Sequence, residues 1–385
     1  MNNYDVAVIG GGAAGMACAA ELSVSGSLKI VLIEAADRLG KKLAITGNGQ
    51  GNVSNEDMSS DHYHGGGKAL AEKIACADDY GAGTLFNCIF TSDDRGRVYP
   101  AGRQASSLVD SLSFTLKERG VEIILSVQVT SVKKGYELKL SDGRILCAEY
   151  VVLCTGGVAQ PVLKNFSPYA LAQNFGHKTT ELFPSLVQLK TDTRHIKTLK
   201  GIRADCRVTA SVDGRDEISA RGDVIFTDYG ISGNSVFSVS PIFADRLGKV
   251  KIEFLPDVSV DRIAEDVSKK SALGYPESEL LSGTLHNQIG RAIIKRVNSS
   301  DPLDVAKAVK NFELEVTGTL GFAYAQVTRG GVRVEEVSPD LQSRIADKLY
   351  FAGEVLDVDG DCGGYNLNWA FSSGRFVAEN ILKRI

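Results

Sequence analysis

The sequence predicts an α/β chain in which a parallel-sheet nucleotide domain is interrupted by an antiparallel β-barrel and a small helical subdomain. Three observations predict it. The first 34 residues read as strand, glycine turn, helix and strand; a period-two alternation sets in near residue 186; and a buried strand followed by glycine returns near residue 350.

Residues 4–34 are YDVAVIGGGAAGMACAAELSVSGSLKIVLIE. The apolar run 6–9 is the first strand, a helix follows to about Ser25, and 29–33 is the second strand. Gly10, Gly12 and Gly15 form G-x-G-x-x-G. Gly10 permits a tight turn, Gly12 lets backbone N–H groups approach a diphosphate, and Gly15 lets helix and strand pack closely. The helix start at Ala13 and Ala14 adds partial positive charge. Glu34, nineteen residues after Gly15, is placed to accept a ribose hydroxyl. A bare glycine motif is weak, but here strand, helix, second strand and acid all stand in register, which implies dinucleotide binding.

A length of 385 residues accommodates two or three domains. Charged residues make up 23% and hydrophobic ones 43%, with net charge −4, an ordinary balance that argues against a nucleic-acid or membrane-surface protein. Seven cysteines without a C-x-x-C argue against a disulfide framework and a redox dithiol, so a reducing cytoplasm is expected. The apolar N-terminus lacks the basic flank of a signal peptide, and no apolar run reaches membrane-spanning length.

The expected partition is a nucleotide domain over 1–185, barrel strands over 186–258, helices over 259–315, returning barrel strands over 316–335, and the rest of the nucleotide domain over 336–385. EIILSVQVTSV, whose Val129 is an expected cofactor contact, and YELKLSDGRILCAEYVVLCTGG read as strands with a hairpin turn at Asp142-Gly143. The run 150–154 then delivers Thr155, Gly156 and Gly157 to the cofactor. Cys206, Val208, Ala210 and Val212 alternate with polar residues, as do Val250, Ile252 and Phe254. Asp301-Pro302 marks a helix start. FAYAQVTRGGVRVEEV is read as strand.

The C-terminal stretch LYFAGEVLDVDGDCGGYNLNWAFSSGRFVAENIL selects the dinucleotide. FAD is longer than NAD and needs a second cradle. A strand ending at Gly353-Glu354 supplies an acid for the ribityl or diphosphate region. A helix from about Asn366 to Lys383 then points its N-terminus, with the Asn366 and Leu367 N–H groups, at the flavin pyrimidine edge. Gly363 and Gly364 allow close approach.

These segments, together with KKLAITGNGQGN, GRVYPAGRQASSLVDSL, FTDYGISGNSVFSVS and QVTRGGVRVEEV, resemble the BaiN/RdsA (YhiN-like) flavoproteins, which include aminoacetone oxidase-like enzymes. The resemblance spans nearly the whole chain. It implies a glutathione-reductase-like Rossmann FAD domain with an inserted barrel and helical subdomain. It also implies that Lys42, Asn48 and Gly49 lie along the flavin, and that Arg97, Tyr99 and Arg103 lie near the active cavity. One departure stands out: where the family reads GGGRCN or GNGRCN, this chain has Gln50-Gly51, so a guanidinium and a thiol are missing. Thiol chemistry at that position is excluded, and an altered flavin potential or anionic-substrate binding is expected.

Other motifs read as structure. Asp357-x-Asp359-Gly360-Asp361 lacks the calcium-loop glutamate, Asn368 standing in its place. Gly230-x-Ser232-Gly233 falls one residue short of a nucleophile elbow. His62 and His64 lie in a polar loop where exposed histidines are ordinary, and Arg291 and Lys295 form a solvated helix face. The expected activity is an FAD-dependent oxidoreductase acting on a small organic molecule. The leading reading is reduction of an activated C=C bond with NADH or NADPH visiting transiently, since no second G-x-G-x-x-G is present. Alternatives are an oxygen-using oxidase of a small amine, an RNA-associated flavoprotein, and a redox sensor without turnover. Tyr365, Arg97, Tyr99 and Arg103 are the candidate catalytic residues. No nucleic-acid or membrane partner is expected.

Overall fold

Strands buried on both faces carry no polar side to offer solvent, and the early apolar runs therefore assemble into a parallel sheet. In the computed structural model, which describes residues 2–77, 81–133, 135–161 and 166–385, β1 (Asn2–Ile9) lies between β2 (Ile30–Ile33) and β10 (Ile145–Leu153), parallel to both. β7 (Glu122–Ile124) extends the sheet past β2. On the far side, β9 (Glu137–Leu140) and β8 (Val129–Val132) follow β10 antiparallel, through the expected turn at Asp142-Gly143. β19 (Leu349–Phe351) pairs parallel with the end of β10, so residues far along the chain complete the sheet that the first residues begin.

Helix α1 (Ala13–Leu22) is buried nearly all round because α10 (Tyr365–Leu382) lies directly against it. The approach depends on small residues. A Cβ on Gly374 would fall inside the van der Waals shell of the Ala14 carbonyl oxygen. Across the same crossing, Arg375 Nε pairs with Glu21 Oε2 at 2.8 Å and its NH1 donates to Thr84 Oγ1 at 2.6 Å. Shorter helices α2 (Lys68–Ile74), α3 (Ala82–Leu85), α4 (Ala105–Glu118) and α5 (Ala170–Asn174) complete this part. Two small sheets border α10. One orders β3 (Ser54–Asn55), β6 (Arg97–Pro100) and β5 (Phe90–Ser92); the other pairs β4 (Tyr63–His64) with β20 (Asp359–Gly360).

The chain divides into two compact units, 1–183 with 327–385, and 184–326. After β11 (Phe183–Ser185) the second unit forms a closed barrel among the described residues. Its strands are β12 (Leu189–Thr191), β13 (Arg203–Val212), β14 (Arg215–Phe226), β15 (Gly230–Ser232), β16 (Gly248–Glu253) and β17 (Phe312–Thr319). Cys206, Val208, Ala210, Val250 and Ile252 point inward, as the alternation requires. Helices α6 (Asn234–Val239), α7 (Val260–Ala272), α8 (Asn287–Val297) and α9 (Pro302–Lys310) share that core. The Asp301 carboxylate caps α9 by accepting from the N–H groups of Leu303 and Asp304.

Two expectations are corrected. Barrel strand β17 begins at Phe312, inside the 259–315 span assigned to helices and ahead of the expected return at 316. Its inward residues Phe312, Leu314 and Val316 follow α9 after a single residue, so no loop marks the change of period. Within FAYAQVTRGGVRVEEV only β18 (Val327–Arg329) is extended, and that strand belongs to the first unit rather than the barrel. Gly330-Gly331 turns the chain away, and 334–336 form a 3-10 turn. No helix among the described residues is long and apolar enough to cross a membrane.

Gly374→Ala should destabilise the protein by about 1–3 kcal/mol, the usual cost of overpacking a tight contact. Thermal unfolding measures it, and an unchanged midpoint would mean that α1 and α10 have slack.

Candidate functional site

The glycine turn after β1 separates what the fold demands from what a ligand demands. A Cβ on Gly15 would collide with the Gly10 carbonyl, so the fold requires that glycine. Gly12 is different: its φ of −78° suits any residue, and a Cβ there would meet nothing within 4 Å. The open space lies at the start of α1, which has no side-chain cap and no acid in its first turn. An uncapped helix start of this kind can hold an anion on the N–H groups of Gly12, Ala13 and Ala14. The Glu34 carboxylate sits over the turn, accepting from Gly11 N at 2.6 Å and Ala36 N at 2.7 Å. Beside Glu34 the chain crosses at Ser126 and Val127, whose N–H groups donate to the Ala36 and Glu34 carbonyls. Val129 lies two residues further on, buried in β8 and paired with Leu140.

The second cradle gathers three distant segments on one carboxylate. Gly353 is fixed to α10, its N–H donating to Ser373 Oγ at 2.9 Å and its carbonyl accepting from Trp369 Nε1 at 3.1 Å. Glu354 accepts from Thr328 N at 2.8 Å and Gly157 N at 3.3 Å, and Lys42 Nζ stands 3.7 Å from it. Gly156 turns the chain here with φ 71°, while Thr155 Oγ1 donates to Pro168 O at 2.6 Å. Sequence reasoning missed Tyr169. Its buried hydroxyl has no hydrogen-bond partner among the described residues, and burial first, then the charges of Glu354 and Asp357, raise its pKa. A buried hydroxyl without a partner beside Glu354 calls for an acceptor from outside the chain.

Asn48 and Gly49 lie in the turn after Lys42 with φ of 55° and 81°, and the Gly49 carbonyl accepts from Ala105 N at 2.8 Å. Gln50 is exposed. Gly51, where the family resemblance places cysteine, has φ 80°, and a Cβ would stand 3.1 Å from Ala105 Cα. This chain's local geometry therefore favours glycine over a thiol.

Helix α10 starts at Tyr365, one residue before the expected Asn366, with Gly364 at φ 103° as its N-cap. No side chain caps it and no acid occupies its first turn. The Asn366 amide is already engaged, accepting from Gly360 N at 2.8 Å and donating to Gly360 O at 2.7 Å. What remains for a ligand is the backbone at Asn366 and the half-buried Leu367. Tyr365 is only 4% exposed, and its ring stacks on His62 with 4.3 Å between centroids. Burial, then the charges of Asp57 and Asp361, raises its pKa, so the hydroxyl keeps its proton at neutral pH.

Arg97 and Tyr99 ride on β6, whose partner β3 is tied to the start of α10 by Asn55 Nδ2 donating to Gly363 O at 3.1 Å. Arg97 pairs with Asp93 through Nε at 2.9 Å and NH2 at 2.7 Å. The Arg103 guanidinium lies 4.0 Å from the Tyr99 ring centroid. The structure thus brings Arg97, Tyr99, Arg103 and Tyr365 to one end of α10.

Sequence reasoning also missed a histidine–carboxylate strap. Asp361 Oδ2 meets His62 Nδ1 at 3.0 Å and Oδ1 meets His64 Nε2 at 2.8 Å, while His62 Nε2 meets Asp57 Oδ2 at 3.1 Å. Burial opposes charge on His62, but the bonds to Asp361 and Asp57 outweigh it and raise its pKa. The bond to Asp361 raises that of His64 against burial. Burial pushes Asp361 up, yet its two histidines hold it below the ordinary value. The signal was present as two i, i+2 pairs, His62/His64 and Asp359/Asp361, each with one member on the paired strands β4 and β20 and the other one residue outside them.

The family described as HI0933-like protein Rossmann domain matches residues 4–380. The chain belongs to the HI0933-like family. One relative, the 3-dehydro-bile acid delta(4,6)-reductase of Clostridium scindens, is 34% identical over 98% of this chain and 99% of its own. The ribosomal RNA dihydrouridine synthase of Escherichia coli is 29% identical over 99% of each chain, and that of Haemophilus influenzae 27% over 98% of each. Among solved structures, a 3-ketosteroid delta1-dehydrogenase from Sterolibacterium denitrificans shares the fold at TM-score 0.53 and 13% identity, over 100% of each chain. A flavocytochrome c3 fumarate reductase does so at 0.50 and 17%, over 99% of this chain and 78% of its own. The family, the Rossmann fold with its barrel, and the class of FAD-dependent oxidoreductase read from the sequence agree with these HI0933-like relatives and neighbours.

Gly12→Val should leave the apoprotein's unfolding midpoint within a cost of about 1 kcal/mol while abolishing flavin retention, read from the visible absorbance of the purified protein. A Gly12→Val protein that stays yellow would remove the diphosphate from this turn. The strap sets a pH window. Histidines raised above 6.5 stabilise fully below 6.5 and lose that contribution as pH rises through their folded values; Asp361, lowered from 3.8, stabilises above 3.8 and loses it as pH falls through its folded value. Asp361→Asn should flatten the apoprotein's unfolding midpoint against pH over that range.

Proposed function

We propose that this chain reduces a C=C bond conjugated to a carbonyl in a small, largely apolar molecule, with FAD bound and NADH or NADPH as the electron source. One observation carries the reading. The activities named for its relatives, a delta(4,6)-reductase of a 3-dehydro bile acid and a dihydrouridine synthase, both reduce a C=C bond conjugated with a carbonyl.

The residues fit FAD. Gly12, Ala13, Ala14 and the start of α1 would take the diphosphate, Glu34 the adenosine ribose, and Glu354 with Lys42, Gly157 and Tyr169 the ribityl region. The uncapped start of α10 would face the pyrimidine edge, with Asn48 and Gly49 alongside. When bound, FAD supplies hydride transfer. The chain's own task is to exclude water, orient the acceptor and hold a proton for it. Tyr365 holds one at its hydroxyl, while Arg103, stacked on Tyr99, offers charge that would draw electron density toward an acceptor carbonyl, and Arg97, paired with Asp93, steadies the same strand.

A second reading, reduction of uracil in RNA, draws on the two dihydrouridine synthases. Against it, basic side chains of the barrel unit are engaged by acids: Arg221 with Asp257, Lys251 with Asp216 and Lys310 with Glu253. Phosphate binding would have to break such pairs.

The test is anaerobic mixing of the yellow protein with NADH and with NADPH, followed by a 3-oxo-Δ4 steroid, uridine-containing RNA, or air. Bleaching by one nicotinamide and rapid recovery of colour with the steroid enone are expected. Fast recovery with RNA, lost at high salt, would favour the second reading. Reduction only by a small amine, with fast recovery in air, would make the protein an oxidase. Tyr365→Phe should slow recovery with the enone about a hundredfold and leave bleaching unchanged.

A further inference from the structure

The strap beside α10 has an inner end as well as an outer one. Asp57, at the outer end, has a side chain 69% exposed; Asp359, across the β4–β20 pair from His64, is 1% exposed. Cross-strand partners share a face, about 5 Å apart at Cβ. Asp359 Oδ1 is buried with no hydrogen-bond partner among the described residues, and burial lifts its pKa to about 6, against the pull of Arg329 and His64 and with the push of Asp357 and Asp361.

Both ring nitrogens of His62 face carboxylate oxygens, which accept when ionised, so the imidazolium form is favoured and the pKa is raised. Asp361 then joins two imidazole rings through its two oxygens. The result is a continuous hydrogen-bonded row, Asp57, His62, Asp361, His64, from solvent to the neighbour of a buried carboxyl. The row is anchored to the site, because Asn366 in the first turn of α10 clasps Gly360, the residue after Asp359.

We propose that Asp57, His62, Asp361 and His64 form a proton relay that recharges Asp359, a proton-holding group beside the start of α10. The proposal rests on the C=C reductase reading. That reaction consumes one hydride, drawn from the nicotinamide, and one proton, drawn from solvent; the hydride bonds to one alkene carbon and the π electrons bond the proton to the other. An ion pair alone would tie β4 to β20. A buried carboxyl with an unpartnered oxygen at the inner end weakens such a tie and suits a group that gains and loses a proton.

Two measurements test this. In the apoprotein, imidazole resonances are titrated by NMR and assigned among the five histidines by single His→Gln variants. His62 and His64 should titrate above 6.5, move down in Asp361→Asn, and shift again as a labelled Asp359 carboxyl titrates near neutrality. Histidines that titrate at or below 6.5, or independently of Asp359, would overturn the relay whatever the enzyme reduces. In the reduced holoenzyme, Asp361→Asn and His64→Gln should each slow colour recovery with the enone at least tenfold at alkaline pH. Bleaching by the nicotinamide should be unchanged, and added imidazole should restore part of the lost rate. Unchanged recovery in both variants would reject the relay. A wild-type protein that reduces no enone would end the reductase reading, and the coupled titration would then decide the relay by itself.

Discussion

The crossing of α1 and α10 governs the rest because it fixes the first turn of α1 against the middle of α10. Alanines along α1 and glycine at 374 remove the side chains that would hold the helices apart, and Arg375 binds Glu21 across the contact. With the axes fixed this closely, the glycine turn after β1 and the turn carrying Gly353 come to the same end of the sheet.

Lys42, Gly157, Thr328 and Glu354 show the same economy at smaller scale. Each comes from a different stretch of chain, and the carboxylate of Glu354 gathers the other three. The Tyr169 hydroxyl has no partner among the described residues.

Local signals were legible where one residue decides a backbone. Gly10, Gly12 and Gly15 announced the turn, the alternation from Cys206 announced the barrel, and Asp301-Pro302 announced α9 as it stands. Contacts between distant segments were not legible. His62 looked like a solvated loop residue because its partner Asp361 lies far along the chain, and nothing local records that β4 and β20 pair. Val129, expected to touch the cofactor, lies buried in β8, and the backbone bonds beside Glu34 come from Ser126 and Val127, three and two residues earlier. FAYAQVTRGGVRVEEV misled because β-branched residues surround a Gly-Gly turn that breaks the strand. The missing cysteine at Gly51 has a geometric reading: positive φ and the nearness of Ala105.

The split first unit has a consequence for biosynthesis. β19 and α10, which complete the sheet and cover α1, leave the ribosome only after all of 184–326 has been made. Until then β10 lacks a neighbour along its last residues and the apolar flank of α1 is bare. The barrel, whose strands all lie between 189 and 319, has its whole sequence available earlier. The nascent chain therefore carries an unfinished sheet for the time taken to translate more than a hundred codons, the interval in which chaperones have most to protect.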